Sequence, residues 1–297
     1  MRIGVDFGGH TLTAARVSRK DGCLPAIEES AEALTPQGRT AGDVLDVIAG
    51  LVSRLAAGHE IECAGLAVPG PLDAGRRSSP RMSNFPKEWD GLDIPDTLSR
   101  VLADMGHSFP VKIENDANCY ALGEGAAGAA SGLADFVVFT MGTGIGCGIV
   151  NGGKLITGSH GLAAEGGHIV VEGSAPCGCG GIGHAETLSA ADGTAKRALA
   201  DGLPGDFREL WAMRGTLAAD RVLDITIDGM ARAVATICHL LDPEAVIIGG
   251  GMSKAPGIVD AIKEASMKYL GLPYREVLDL RVSALGNEAA LYGAACI

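Results

Sequence analysis

Phe136-Val137-Val138-Phe139-Thr140-Met141-Gly142-Thr143-Gly144-Ile145-Gly146-Cys147-Gly148-Ile149-Val150-Asn151-Gly152 decides the fold. An apolar run of strand length meets a glycine turn, a second run follows, and Asn151-Gly152 supplies the hairpin turn into a third strand. The chain opens the same way. Residues 2 to 6 alternate as Arg-Ile-Gly-Val-Asp, Phe7-Gly8-Gly9 turns, and Leu12 to Val17 resumes an extended pattern. Two passages of strand, glycine turn and strand predict a duplicated fold. In each turn, glycine lets backbone N–H groups approach an anion closely. Asp6 adds a carboxylate at the first bend that suits the water shell of a magnesium ion, although a solvated hairpin turn fits a lone Asp-x-Gly-Gly equally well.

The intervening segments predict an α/β protein. Thr40 to Ala57 has helical apolar spacing from Val44 to Leu55, Thr40 and Asp43 at its start, and Gly58 just past its end. Ala64 to Val68 reads as a buried strand closed by Pro69-Gly70-Pro71. Residues 73 to 90 form a long irregular loop, with Asn84 at its centre able to meet a polar ligand or to make an Asx-turn. Val111 to Glu114 is a short strand that runs into Asn115-Asp116-Ala117-Asn118 and a helix to about Gly128. A strand-to-helix junction is where α/β folds place ligand-handling groups, and helix capping by Asn115 or Asp116 is the competing use. Ile225 to Leu241 predicts an apolar helix stopped by Asp242-Pro243. Ala245 to Ile248 is a parallel-type strand opening into Gly249-Gly250-Gly251, which either faces a nucleotide or permits close helix packing. A helix from about Ala255 to Leu270 follows, and residues 285 to 295 form a small-residue helix.

Residues 160 to 187 pack the densest polar chemistry. His168, Cys177, Cys179 and His184 are two nitrogen and two sulfur donors, the set a closed tetrahedral zinc site requires, and Glu165 and Glu186 flank them. Eight cysteines in 297 residues are too scattered for a disulfide scaffold and fit a reducing compartment with a metal site.

Net charge is −12, with 24 basic against 36 acidic residues and no basic block, so a nucleic acid is a poor partner. The uncharged stretch Phe136 to Gly153 has membrane-spanning length but six glycines, which reads as a hairpin, and no membrane partner is expected. With a strand starting at once after Met1 and no basic n-region, a cytoplasmic protein is expected.

Over nearly its whole length the sequence resembles the ROK family of bacterial sugar kinases and sugar-responsive repressors. Asp6-x-Gly8-Gly9 and Gly142-Thr143-Gly144-x-Gly146 look like its two phosphate turns, Glu114 to Asn118 like its catalytic segment, and Gly249-Gly250-Gly251 like its adenosine-side loop. Glu165-Gly166-Gly167-His168, Cys177-Gly178-Cys179-Gly180-x-x-Gly183 and Glu186 resemble its sugar- and zinc-binding core. The resemblance implies two ribonuclease-H-like lobes of actin/hexokinase type with an interlobe active-site cleft. The smaller N-terminal lobe would take residues 1–115 plus 286–297, and the larger C-terminal lobe residues 116–285 with the zinc knot.

It further implies transfer of the ATP γ-phosphoryl, with Mg²⁺, to a hexose hydroxyl, the 6-hydroxyl of glucose by default; allose, fructose and N-acetylmannosamine kinases share the motifs. Asp116 is then the general base, because a loose phosphoryl-transfer transition state needs the proton taken late and position outweighs basicity. Asn84, Asn115, Asp116, Glu165, His168 and Glu186 would meet the sugar. Asp6, Gly8, Gly9, Thr11, Gly142, Thr143, Gly144, Gly249, Gly250 and Gly251 would meet ATP. His168 would bind structural zinc with one nitrogen and a sugar hydroxyl with the other, beside Cys177, Cys179 and His184. A homodimer is the family's usual assembly.

Two departures stand out. His10 occupies the position where the family usually has Thr, so the hydroxyl expected near the phosphates is displaced by one residue to Thr11 or absent, and His184 replaces the third zinc cysteine. The readings that compete are a non-catalytic sugar sensor, motivated by His10, and a sugar-responsive transcriptional regulator, which would carry a DNA-binding domain ahead of the first strand. A zinc hydrolase is disfavoured by the closed donor set.

Overall fold

A computed structural model describes residues 1–18, 25–82 and 85–297. In chain order its elements are β1 (Arg2–Phe7), β2 (Thr11–Ser18), β3 (Ala26–Leu34), α1 (Ala41–Ala56), β4 (Cys63–Val68), α2 (Ile94–Asp104), β5 (Val111–Asn115) and α3 (Asp116–Ala127). There follow β6 (Phe136–Met141), β7 (Ile145–Asn151), β8 (Lys154–Leu155), α4 (Ala185–Ser189), α5 (Ala191–Ala200), α6 (Phe207–Ala212) and α7 (Leu217–Leu241). The chain closes with β9 (Ala245–Gly249), α8 (Ile258–Ser266), α9 (Leu272–Val277), β10 (Leu280–Val282) and α10 (Ala289–Cys296). They form two compact units, one of residues Met1–Gly132, Leu155–Ala164 and Asn287–Ile297, the other of Leu133–Lys154 and Glu165–Gly286.

Each unit is built on a five-stranded mixed sheet, ordered β3-β2-β1-β4-β5 and β10-β9-β6-β7-β8. Read from the other edge, the second order becomes β8-β7-β6-β9-β10, the first pattern repeated. Both begin with an antiparallel hairpin, β1 with β2 and β6 with β7, and both add a parallel strand to the hairpin's first member. The duplication read from the two glycine hairpins is therefore a duplication of sheet topology, that of two ribonuclease-H-like folds.

The first sheet is buried on both faces, and its residue sizes say why. One face carries Ile3, Val5, Phe7 and Leu66 against α1, whose Val44, Leu45, Ile48, Val52 and Leu55 are all buried. The other presents glycine: a Cβ on Gly4 would stand 2.0 Å from the Leu291 carbonyl oxygen, and one on Gly65 1.9 Å from that of Ala294. α10 thus lies directly on the strands, with backbone touching backbone. It meets α3 the same way, because a Cβ on Gly123 would be 1.9 Å from the Ala289 oxygen and one on Gly293 1.7 Å from the Cys119 oxygen. Any larger residue at these positions must part the elements. This packing fixes α3, whose first residue is Asp116.

In the second unit the central strands β6 and β9 are almost wholly buried. α7 packs against α4, α5 and α8; it is capped by the Thr216 hydroxyl, which accepts from Ala219 N at 3.4 Å, and ended by Asp242 in the left-handed region ahead of Pro243. α7 starts eight residues before the predicted Ile225: Leu217 and Ala218 are exposed, but Ala219, Val222 and Leu223 are buried at helical spacing and extend the same apolar face. The helix expected from Ala255 to Leu270 is shorter, Ile258–Ser266, because Pro256 and left-handed Gly257 (φ 77°) interrupt it. Strand β3 has mostly exposed or half-exposed residues and acidic alternation, which hid it in the sequence. No helix among the described residues is long and apolar enough to cross a membrane.

Candidate active site

In the first unit the polar residues collect where parallel strands end. Asp6 pairs with Ala67 across β1 and β4, and Ala67 pairs with Glu114 across β4 and β5, so the ends of three strands lie level. Strand carboxyl ends are where open α/β sheets bind ligands. Phe7 seats the end of β1, its ring 5.0 Å from that of Phe85 and 5.1 Å from that of Trp89. The turn beyond is pinned from β3's exit: Thr35 Oγ1 donates to Gly8 O at 2.8 Å and Thr35 N to His10 O at 2.9 Å. Thr35 was not legible as a turn residue, since its partner lies 27 positions away. Gly8 is packed closely, with a virtual Cβ 2.5 Å from Thr11 O, whereas Gly9 faces open space. His10 is exposed, and Thr11 begins β2 in register with Leu34.

Asn115 is the cap of α3. Its Oδ1 accepts from Ala117 N at 3.0 Å and Asn118 N at 3.1 Å, and its Nδ2 donates to Gly70 O at 3.0 Å. The capping use is therefore real and leaves one amide hydrogen for a ligand. Asp116, the next residue, is exposed, with Oδ1 accepting from Ala117 N at 2.8 Å. Asn84 lies outside the described residues.

Burial, followed by the negative charge of Asp116, pushes the Asp6 carboxyl up to about 7. The consequence for stability has a definite sign. Between roughly pH 4 and 7 the folded chain holds a proton that an unfolded aspartate has released, so stability falls as pH rises, and the full loss is in place above 7. Asp6→Asn in metal-free buffer should match the parent at pH 4 and exceed its stability at pH 8 by up to about 4 kcal/mol. Denaturant unfolding at the two pH values measures this, and equal differences at both would refute it.

In the second unit Thr140 pairs with Gly249, which sets the Gly142–Gly144 turn and the Gly249–Gly251 bend at adjacent strand ends. Gly142 N donates to Gly144 O at 2.9 Å, closing the turn, and Thr143 is exposed on it. The three later glycines differ in their surroundings. Gly249 ends β9; Gly250 (φ 82°) serves packing, with a virtual Cβ 2.4 Å from Met141 O; Gly251 is exposed and open. Gly9, Gly142 and Gly251 each have open space where a Cβ would stand.

The zinc donors do converge. One ligand atom each from His168, Cys177, Cys179 and His184 lies within 4.8 Å of every other. Glycine turns make this feasible: Cys177 N donates to Gly181 O and Gly180 N to Cys177 O. Cys179 Sγ is 3.3 Å from His184 Nδ1, and its thiol is held below the usual range, first by the Gly181 N–H. Burial raises the Cys177 thiol to about 11. A dication would reverse that by binding the thiolate, and two sulfurs with two imidazoles suit zinc.

His168 Nδ1 is 3.1 Å from Glu165 Oε2, and this hydrogen bond, opposed by burial, holds the imidazole above its usual range. Its Nε2 lies 4.0 Å from Glu186 Oε1. The Glu165 carboxylate thus occupies the ring's outer nitrogen, an arrangement that orients metal-bound histidines generally. Glu186 joins two features the sequence kept apart. Its Oε2 accepts from Ile145 N at 2.9 Å beside the glycine turn, and its Oε1 lies 3.6 Å from Cys177 Sγ. Gly144 must be glycine for this, as a Cβ there would stand 2.5 Å from Glu186 Oε2.

A family model described as ROK family matches residues 2–297. A glucokinase of Thermotoga maritima is 34% identical over 99% of this chain and 96% of its own. The crystal structure of a ROK hexokinase from Thermus thermophilus superposes with a TM-score of 0.83 at 33% identity, covering 99% of this chain and 96% of that one. A ROK-family glucokinase of Streptomyces griseus, solved with glucose and AMPPNP, gives 0.82 at 30% identity, covering 99% and 98%.

Proposed function

Since the chain belongs to the ROK family, we propose that it is an ATP-dependent hexose kinase, phosphorylating glucose on its 6-hydroxyl. The observation that carries this is Asp116, exposed at the first residue of a helix whose start is fixed by Asn115 and Glu114 and whose axis is fixed by backbone contact with α10. A group that accepts a proton late in phosphoryl transfer needs such placement more than it needs basicity.

In this reading Asp116 takes the hydroxyl proton as the acceptor oxygen attacks. Glu165, Glu186 and the remaining amide hydrogen of Asn115 hold ring hydroxyls; with Nδ1 on Glu165 and its other nitrogen given to zinc, His168 orients Glu165 rather than meeting a hydroxyl itself as the resemblance implied. Carboxylates that accept from ring hydroxyls discriminate among hexoses because a missing hydroxyl leaves an acceptor unpaired. N–H groups of the turns at Gly8–Gly9 and Gly142–Gly144 cradle phosphate oxygens, with Thr11 and Thr143 offering hydroxyls and Gly249–Gly251 bordering the nucleoside. ATP with Mg²⁺ supplies the transferred group and neutralises its charge; Asp6 is the carboxylate available to the ion's water shell. Structural zinc, held by His168, Cys177, Cys179 and His184, fixes His168 and the segment leading to Glu186. A homodimer in the cytoplasm completes the proposal.

The experiment is a coupled ADP-release assay across glucose, mannose, fructose, allose and N-acetylmannosamine. Glucose should give the highest kcat/KM. A different preferred hexose would overturn the substrate, and hexose binding by calorimetry with no turnover on any would make the protein a sensor.

A further inference from the structure

The loop after β4 reaches the turn that carries Asp116 twice. Gly70 O takes the Asn115 amide, and Arg76 Nε stands 3.1 Å from Glu114 Oε2, the two side chains being 19% and 7% exposed. Glu114 is the next link. Its Oε1 accepts from Asn115 N at 2.8 Å and from Asn118 Nδ2 at 3.0 Å, and these residues bracket Asp116 in the chain. Arg76 has a further hold, as NH1 donates to Gly161 O at 3.3 Å. Gly161 lies tight on the same loop, where a Cβ would be 2.4 Å from Leu72 O.

The loop spends strain to place this arginine. Arg76 has φ 53°, a region that residues other than glycine rarely adopt. The turn is tied by Asp73, whose carbonyl accepts from Arg76 N at 3.0 Å and whose Oδ1 accepts from Arg77 N and Ser78 N, both at 2.8 Å.

We propose that Arg76 is a positioning residue for phosphoryl transfer: it pairs with Glu114 and, through Glu114, fixes the strand-to-helix turn that presents Asp116 to the acceptor hydroxyl. The inference rests on the reading of Asp116 as the base. Removing one member of a buried ion pair strands the other's charge, whereas removing both charges is far milder. Glutamine at 114 would still offer its oxygen to Asn115 N and Asn118 Nδ2, so it keeps the turn's own hydrogen bonds without needing an arginine.

The test measures kcat and both KM values for Arg76→Met, Arg76→Lys, Glu114→Gln and the Arg76→Met/Glu114→Gln pair, with thermal unfolding of each. Arg76→Met should lower kcat about 10²-fold, the scale set by small misplacements of reacting groups, with KM for ATP unchanged. Adding Glu114→Gln to it should recover at least about tenfold of that loss, and Arg76→Lys should fall between parent and Arg76→Met. Parent-like kinetics in Arg76→Met, or a double variant no better than that single one, would overturn the proposal. Should Arg76→Met not fold, the double variant, which strands no charge, decides: activity near that of Glu114→Gln alone supports the role of the pair, and activity as low as in Asp116→Asn refutes it. Asp116→Asn is assayed alongside. Full turnover there removes the base assignment, whereas collapsed turnover there with parent-like Arg76→Met removes only the role of Arg76.

Discussion

Asp116→Asn should lower kcat by roughly 10²–10⁴-fold, the contribution expected of a positioned general base, while hexose affinity stays close to that of the parent. Asparagine keeps a carbonyl oxygen for the Ala117 N–H, which Asp116 Oδ1 now accepts at 2.8 Å, so the start of α3 should survive. The helix is also anchored independently by the Asn115 cap and by its glycine-mediated contact with α10. What changes is the capacity to take a proton. Single-turnover phosphorylation read together with calorimetric hexose binding separates the two effects, and turnover within about threefold of the parent would remove Asp116 from the role of base.

Loss of the zinc cluster should be the second large effect. Metal analysis of the purified protein should find about one zinc per chain, and Cys177→Ser should abolish it, because a three-donor remnant is no longer a closed tetrahedral site. Glu165 and Glu186 both reach His168, so disorder of the cluster should spread to the groups proposed to hold the sugar. The expected result is a fall of about 10–100-fold in hexose kcat/KM, with KM for ATP little changed, and a lower unfolding temperature. His184→Cys should retain zinc, as thiolate and imidazole both serve it. A folded, metal-free and fully active protein would refute the assignment of all four ligands.

Much of the site was legible because its residues are local in sequence. The cluster of His168, Cys177, Cys179 and His184 spans 17 positions among glycines, and the donors meet as expected. The cap at Asn115 was equally local, as its three hydrogen-bond partners include two from the next turn. The bend at Gly249–Gly251 left packing and ligand approach equally open, and packing applies at Gly250. Gly250 sits against Met141 O and Gly251 is open, a distinction made by a strand more than a hundred positions earlier. Arg76 and Thr35 gave no signal at all. Each acts on a partner 27 or more positions away, through a single side chain in a segment without periodicity.

The sequence by itself determined the repeated hairpins, the strand-to-helix junction at Asn115–Asp116, the clustered histidines and cysteines and the family, because periodicity, turn chemistry and side-chain type are properties of neighbouring residues. Only the tertiary structure decided which glycines face open space and which are contacts between α10, α3 and the sheet. It alone raised Asp6 toward 7 by burying it near Asp116, spent one Glu186 oxygen on Ile145 N, and set Arg76 on Glu114. Those outcomes depend on burial and on pairings between distant segments, which no local pattern encodes.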